Sequence, residues 1–247
     1  MVRRLFWPGL GLSLATAVFF AAKTYRMSTM KTASDSTVHV VLIGASIGQA
    51  WNIAGWPSRV GQTGFSAESL AVWQFDKSRA VDGVLMRPKR ELQFTRTYLK
   101  SLFEPPPRKP DIVILKECSS YFPGSVPEYL DSVGRWAGRL HERGLQVILA
   151  TVVPVTESRS ARDPGKQESL LEYNRRIREY GQERQIPVLD LEATLRANSR
   201  SGYLREEYSS GDGSHLNAAA YSVLDEALRT TLCAVRRCGP QTASSRP

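Results

Sequence analysis

A chain of 247 residues with ordinary composition fits one α/β domain with tails, since single domains of this class run to roughly 200–250 residues. Its formal net charge of +9 comes from 33 Lys and Arg against 24 Asp and Glu. The basic residues are spread along the chain and carry no helix-turn-helix, zinc-finger or RNA-binding pattern, so we expect a membrane face or an anionic polymer as partner and not nucleic acid.

The three cysteines form neither a disulfide scaffold nor a zinc site. Cys233 and Cys238 are close in sequence but have no histidine partners at metal-ligand spacing. A bridge between these two is conceivable in an oxidising compartment, whereas Cys118 stands alone at the end of a predicted strand and is expected to be a buried small hydrophobe. We therefore expect no metal and no other cofactor.

The N-terminal residues have the pattern of a targeting segment. Two arginines precede the uncharged, largely apolar stretch 5–22, which ends at a lysine. The stretch is slightly long for a signal-peptide core and slightly short for a membrane helix. We interpret residues 1–22 as a signal-anchor or signal peptide, followed by a linker over 23–37, a globular body over 38–238 and a tail over 239–247. This predicts a membrane-anchored or secreted protein whose body lies outside the cytoplasm, as in a bacterial periplasm.

The body opens with an apolar, β-branched run, Val38–Gly44, that predicts a buried strand. Ser46 follows two residues after the closing glycine, where a helix could begin. Most serines in this position merely cap the helix. A nucleophile is presented in the same way, because Gly44 and Gly48 permit a sharp turn and the N–H groups at a helix N-terminus can stabilise an oxyanion.

The next part of the chain is less regular. Pro57 is expected to break any helix in its neighbourhood. Residues 60–66 predict a weak strand and a glycine turn, followed by a helix that starts at Ser66 and continues through Trp73. A further helix is expected over 91–103, before a proline-rich loop.

From residue 111 onward, strands alternate with amphipathic helices. Strands are expected over 111–115, 146–153 and 186–191, and helices over 127–143, over 168–184 and after Asn217. This alternation requires right-handed crossovers, so it predicts a three-layer α/β/α sandwich with a mostly parallel, five-stranded sheet. The functional site is expected at the carboxyl ends of the strands, where the loop over 156–167 is predicted to be exposed and mobile.

The chain contains three histidines, which can be compared as candidate general bases. His39 lies in a predicted strand, and His141 lies in the last turn of a predicted helix, where a cation complements the helix dipole. His215 lies in a Gly-rich loop, three residues after Asp212. Considered alone, Asp212 and His215 are most simply a pair of surface residues. Together with Ser46 they complete a set of serine, imidazole and carboxylate, in which the carboxylate fixes the imidazole tautomer.

The sequence resembles the SGNH (GDSL-type) hydrolase family over about residues 38–235. Gly44-Ala45-Ser46 matches the first block of that family, and Asp212-Gly213-Ser214-His215 matches its last block. The resemblance implies a flavodoxin-like sandwich and ester hydrolysis or acyl transfer through an acyl-serine without a metal. It implies Ser46 as nucleophile, His215 as general base and then acid, and Asp212 as the residue that orients His215.

The resemblance also implies an oxyanion hole, and here the chain departs from the family pattern. The backbone N–H of Ser46 is one expected donor, and Gly64 is the best match to the glycine of the second block. The third block has Gly-x-Asn-Asp in the family but Lys116-Glu117-Cys118-Ser119-Ser120 in this chain. Cys118 or Ser119 is the candidate to replace the asparagine, or Lys116 supplies a cation, while Glu117 opposes an oxyanion unless a neighbour neutralises it. An altered oxyanion hole is therefore expected.

Three alternatives remain open at this point. Gly44 to Gly48 also fits the Gly-x-Ser-x-Gly nucleophile elbow, although the elbow of α/β-hydrolases follows several earlier strands. The chain is alternatively an O-acyltransferase of the same family, or a membrane-anchored carbohydrate- or acyl-binding module that has lost catalysis. The expected substrate is a small-molecule or polymeric ester, such as an acetylated carbohydrate or a lipid. Five aromatic residues are candidates to contact it: Trp51, Trp56, Phe65, Tyr121 and Phe122.

Overall fold

The computed structural model describes residues 37–87, 109–118, 122, 124–163, 165–198 and 201–236. The described residues from 38 to 236 belong to one compact unit. The predicted targeting segment, most of the linker, the helix expected over 91–103 and the C-terminal tail lie outside the described residues. Within the described part, no helix combines the length and apolarity needed to cross a membrane.

The central layer is a parallel sheet of five strands in the order β2-β1-β3-β4-β5. The strands are β1 (Val38–Gly44), β2 (Phe65–Ala71), β3 (Ile112–Lys116), β4 (Gln146–Ala150) and β5 (Val188–Leu189). The helices are α1 (Ser46–Ala50), α2 (Trp56–Arg59), α3 (Ser78–Leu85), α4 (Val126–Glu142), α5 (Glu157–Ser160), α6 (Lys166–Arg184), α7 (Leu191–Leu195) and α8 (Ala218–Arg236). Single 3₁₀ turns occur at Ile53–Gly55 and Glu206–Tyr208. This strand order is the flavodoxin-like doubly wound arrangement, so the predicted fold is confirmed.

Successive side chains of β1 point to opposite faces of the sheet, and the hydrophobic core accordingly consists of two layers. Val40 and Leu42 belong to the cluster that contains α8 and the α1–α2 segment. Val41 and Ile43 belong to the opposite cluster, with α3, α4 and α6. All four side chains are completely buried, because a central parallel strand is covered on both faces.

The region after β1 differs from the sequence prediction. Phe65–Ala71 is a strand and not the start of a helix, and it pairs with β1 in the register Val38↔Phe65 to Gly44↔Ala71. Being an edge strand, β2 accommodates polar residues and lacks the continuous apolar run of a central strand. Pro57 lies in the first turn of α2, where its missing N–H is not needed, so it does not break the helix.

The later elements are close to the prediction, with three corrections. The loop over 156–167 contains the short helix α5, and its side chains at Thr156 and Gln167 are buried, so it is not an exposed loop throughout. The strand β4 ends at Ala150 and not at residue 153. Only Val188–Leu189 remain of the expected strand over 186–191, because α7 begins immediately afterwards with an aspartate cap.

Candidate active site

Ser46, His215 and Asp212 form a hydrogen-bonded chain at the carboxyl edge of the sheet. Ser46 is the first residue of α1, directly after β1. The Nε2 atom of His215 lies 3.2 Å from the Ser46 Oγ atom, although the two residues are 169 positions apart. On the other side of the ring, Nδ1 lies 2.5 Å from Oδ2 of Asp212. The distances permit proton transfer between the serine and the imidazole, with the carboxylate fixing the imidazole tautomer.

The turn from Asp212 to His215 is fixed by its own hydrogen bonds. Oδ1 of Asp212 accepts the backbone N–H groups of Ser214 and His215, each at 2.8 Å. Burial opposes ionisation of Asp212, but the hydrogen bonds from the His215 ring and from these two backbone groups outweigh it and hold the pKa of Asp212 well below its usual value. The side chains of His215 and Asp212 are 51% and 50% exposed, so the site is open to solvent.

Gly213 holds this turn against the loop that follows β4. Its φ of +76° lies in the left-handed region, and its carbonyl accepts the backbone N–H of Thr156 at 3.0 Å. Its own N–H donates to Ser209 Oγ at 3.0 Å. A Cβ at this position would lie 2.6 Å from Arg159 Cβ and 2.6 Å from Thr156 Oγ1, so the close approach requires glycine.

A buried network anchors the nucleophile segment to α8. The Asp225 carboxylate accepts Trp51 Nε1–H at 2.8 Å and two N–H groups of Arg59 at 2.6 and 2.8 Å. The indole of Trp56 donates to the Asp225 carbonyl at 2.9 Å. Because α1 has only five residues and cannot be stable alone, the network fixes its position relative to the helix that follows His215.

Gly64 does not lie near Ser46. It directly precedes β2, and its carbonyl accepts the N–H of Val38 at the amino end of β1, which is the opposite edge of the sheet. The sequence prediction assigned the second strand to the residues around and before Gly64, which would place this glycine at the carboxyl end of the strand. In the structure the strand begins after Gly64, so the glycine lies at its amino end. The residue that does follow β2 at the edge of Ser46 is Val72, whose N–H donates to the Gly44 carbonyl at 2.7 Å.

The third-block residues are mostly buried. Lys116 and Glu117 are 1% and 3% exposed, and Lys116 Nζ donates to the Glu117 carbonyl at 3.0 Å. The Glu117 carboxylate forms an ion pair with Lys77, whose ammonium is equally buried. Burial raises the pKa of Glu117 to about 7 and lowers the pKa of Lys116 to about 8, against the opposing influence of neighbouring charges. Cys118 is a partly buried free thiol, so it is less buried than predicted; Ser119 lies outside the described residues.

Sequence reasoning missed Lys77 and Asp225 as residues that support the site. Neither belongs to a motif, and each is brought to its partner by packing between elements that are distant in sequence. The sequence gives no local signal for them, because a single charged residue in a helix, like Asp225, or at its N-cap, like Lys77, is normally expected to face solvent.

The predicted aromatic contacts are largely part of the core. Trp51, Trp56 and Phe65 are buried, and Phe65 lies at the amino end of β2. Phe122 stacks on Tyr173 with ring centroids 3.9 Å apart, and Tyr121 lies outside the described residues. Trp73, which follows the carboxyl end of β2, is 54% exposed.

Two further features concern ligands and the cysteines. A surface cleft of about 1120 Å³ lies between the β3–α4 connection and α6, but Ser46, Asp212 and His215 do not line it.

Among the described residues, no cluster of three His, Cys, Asp or Glu side chains is suited to hold a metal ion. Cys233 takes part in a disulfide, and Cys238 lies outside the described residues.

Both the sequence and the fold of this chain are similar to those of known proteins. Residues 42–223 match the model of the GDSL-like Lipase/Acylhydrolase family. No curated protein matches the chain. Among solved structures, a GDSL-like lipase from Bacteroides thetaiotaomicron is similar with a TM-score of 0.57 and 15% identity, over 86% of this chain and 97% of that one. A lipase/acylhydrolase from Enterococcus faecalis is similar with a TM-score of 0.55 and 17% identity, over 84% and 100% of the two chains. The acetyl xylan esterase AlAXEase is similar with a TM-score of 0.53 and 15% identity, over 78% and 98%. At these identities the solved structures establish the shared fold.

Proposed function

Because the chain belongs to the GDSL-like lipase/acylhydrolase family and is an ester-hydrolysing enzyme, we propose that Ser46 is its nucleophile, His215 its general base and Asp212 the residue that orients His215. The observation that carries the assignment is the hydrogen-bonded order Ser46 Oγ–His215 Nε2 and His215 Nδ1–Asp212 Oδ2. Asp212 accepts from Nδ1, which leaves Nε2 unprotonated and directed at the serine.

The proposed reaction has two stages. The Ser46 Oγ atom attacks the ester carbonyl as His215 Nε2 accepts its proton, and a tetrahedral intermediate forms. The protonated imidazole then donates to the leaving alcohol oxygen, and the C–O bond of the ester breaks to give an acyl-serine. Water attacks the acyl-serine, with His215 acting again as base, and the carboxylic acid leaves as Ser46 regains its proton.

We propose an altered oxyanion hole for this reaction. The backbone N–H of Ser46 has no partner within its helix, since it belongs to the first turn of α1. The asparagine of the family's third block is absent. Lys116 is the cation at that place, where a Cβ on Gly44 would lie 3.6 Å from Lys116 Cβ. With a pKa of about 8, Lys116 is mostly protonated at pH 7, and its buried ammonium, which donates to the Glu117 carbonyl, is proposed to stabilise the oxyanion without contacting it.

We propose that the substrate is an ester on an acetylated carbohydrate or a lipid-like molecule outside the cytoplasm. Both the apolar segment 5–22 and the net charge of +9 favour an envelope polymer or lipid over a cytosolic metabolite. The half-exposed His215 and Asp212 leave space for a bulky alcohol group. A fusion of alkaline phosphatase to the C-terminus tests the location, because the reporter is active only after export; an inactive but intact fusion contradicts it.

Hydrolysis of p-nitrophenyl acetate and labelling by a fluorophosphonate test the assignment of Ser46. We expect Ser46→Ala to abolish p-nitrophenol release and labelling. The control is Ser58→Ala, which removes an exposed serine of α2 and is expected to change neither. Wild-type protein that neither hydrolyses the ester nor reacts with the probe contradicts the proposal. A panel of acetylated sugars and medium-chain p-nitrophenyl esters then identifies the preferred acyl group and alcohol.

A further inference from the structure

Three charged side chains are buried at the carboxyl edge of the sheet, the edge that also carries Ser46, and have no role in the proton transfers. Lys77 and Lys116 are each 1% exposed, and Glu117 is 3% exposed. Charged groups are rarely buried to this extent, because each loses its hydration. A function that depends on their position would explain why the chain retains them.

Residue 117 is held through both its side chain and its backbone. Lys77 Nζ forms the ion pair with one oxygen of the carboxylate, and the other oxygen, Oε2, is buried without a hydrogen-bond partner among the described residues. Lys116 Nζ donates to the Glu117 carbonyl at 3.0 Å. These contacts fix the beginning of the loop after β3, which is the segment where the family has its oxyanion asparagine.

Lys77 is itself fixed in the segment after β2. Its carbonyl accepts the N–H of Val81 at 2.9 Å, and its ammonium lies 5.8 Å from the centre of the Trp136 ring. The same segment starts at Val72, whose N–H donates to Gly44 at 2.7 Å. The ion pair therefore connects the two loops on either side of β1, the strand that leads to Ser46.

We infer that the buried pair of Lys77 and Glu117 positions the loops after β2 and β3 for stabilisation of the oxyanion. The inference rests on the proposed esterase function of Ser46. The pair also neutralises Glu117, which would otherwise repel the developing negative charge. Lys77 and Glu117 are thus positioning residues and not groups that touch the substrate.

The double variant Lys77→Met with Glu117→Leu separates this role from a structural one. Replacing a buried ion pair by apolar residues of similar volume is often neutral for folding or stabilising, whereas loss of one partner leaves an unpaired buried charge. We expect the double variant to retain its urea unfolding midpoint. Its kcat for p-nitrophenyl acetate is expected to fall by about 100-fold or more, with KM changed less than about twofold, because only the transition state carries the oxyanion.

The exposed pair of Glu172 and Arg175 on α6 provides the matched control, since the two are joined at 2.6 Å but are 42% and 54% exposed. The variant Glu172→Gln with Arg175→Met is expected to keep the wild-type kcat. A folded Lys77/Glu117 double variant with unchanged kcat would overturn the inference.

Two further measurements keep the result interpretable. If the double variant does not fold, Glu117→Asp tests the positioning role instead. This variant retains the negative charge but moves the carboxylate away from Lys77 by the length of one methylene group. A fall in kcat at constant KM supports the inference, and an unchanged kcat overturns it. Ser46→Ala is assayed in parallel: wild-type protein without Ser46-dependent turnover overturns the proposed function, whereas Ser46-dependent turnover that persists in the folded double variant overturns only the positioning role.

Discussion

The substitution Gly213→Ala tests whether packing of the Asp212–His215 turn controls activity. Alanine must adopt the φ of +76°, which costs about 1–2 kcal/mol. Its Cβ would lie 2.6 Å from both Arg159 Cβ and Thr156 Oγ1, where ordinary contacts are 3.4–4 Å. Relief of such overpacking costs about 1–3 kcal/mol. The free energy of unfolding should therefore fall by about 2–5 kcal/mol, the sum of the two effects.

The same substitution should reduce catalysis more than stability alone requires. A shift of the turn by about 1 Å would move His215 away from Ser46, and a misplacement of this size can lower kcat by about 100-fold. Urea unfolding and ester hydrolysis by the folded protein measure the two effects. Gly211→Ala is the matched control, because Gly211 has a φ of +109° but no atom within 4 Å of the added Cβ. Equal losses in the two variants, or full kcat in Gly213→Ala, would refute the packing argument.

The remaining predictions concern the buried network, the buried lysine and the orienting carboxylate. Asp225→Asn should lower the free energy of unfolding by about 1.5–3 kcal/mol, since it removes the charge paired with Arg59. It should also lower kcat, because the same network fixes the position of α1. As a control, substitution of the adjacent exposed residue, Glu226→Gln, should change neither quantity appreciably in the same urea and ester assays. The pKa of Lys116 falls from 10.5 to about 8 on burial, so the unfolded chain binds more protons between these two pH values and stability should rise with pH there. Urea unfolding of Lys116→Met at the two ends of this window should show no such rise, and a parallel rise in the variant contradicts the assignment. Asp212→Asn should lower kcat by about 10⁴-fold with little change in KM, because the imidazole loses its correct tautomer, and an active variant would exclude the orienting role.

Periodic patterns predicted the elements that are buried on a regular face. The apolar run of β3 and the helical stripe of α6 were found because each residue's burial follows from its own position in the repeat. The edge strand β2 was predicted too early in the chain, over 60–66 instead of Phe65–Ala71, since its sequence Phe-Ser-Ala-Glu-Ser-Leu-Ala has no continuous apolar run. That error moved Gly64 to the wrong edge of the sheet, so one local mistake also produced the incorrect oxyanion donor.

The sequence by itself determined the alternating α/β order, the position of Ser46 at the end of the first strand, and the choice of His215 and Asp212 as its candidate partners. These features follow from short-range patterns and from the small number of histidines. The tertiary structure decided which side chains support them, as with Asp225 below α1 and Lys77 opposite Glu117. Such partners depend on burial and on the approach of distant elements, because the strength of a charge pair is set by its loss of water and not by its neighbours in sequence.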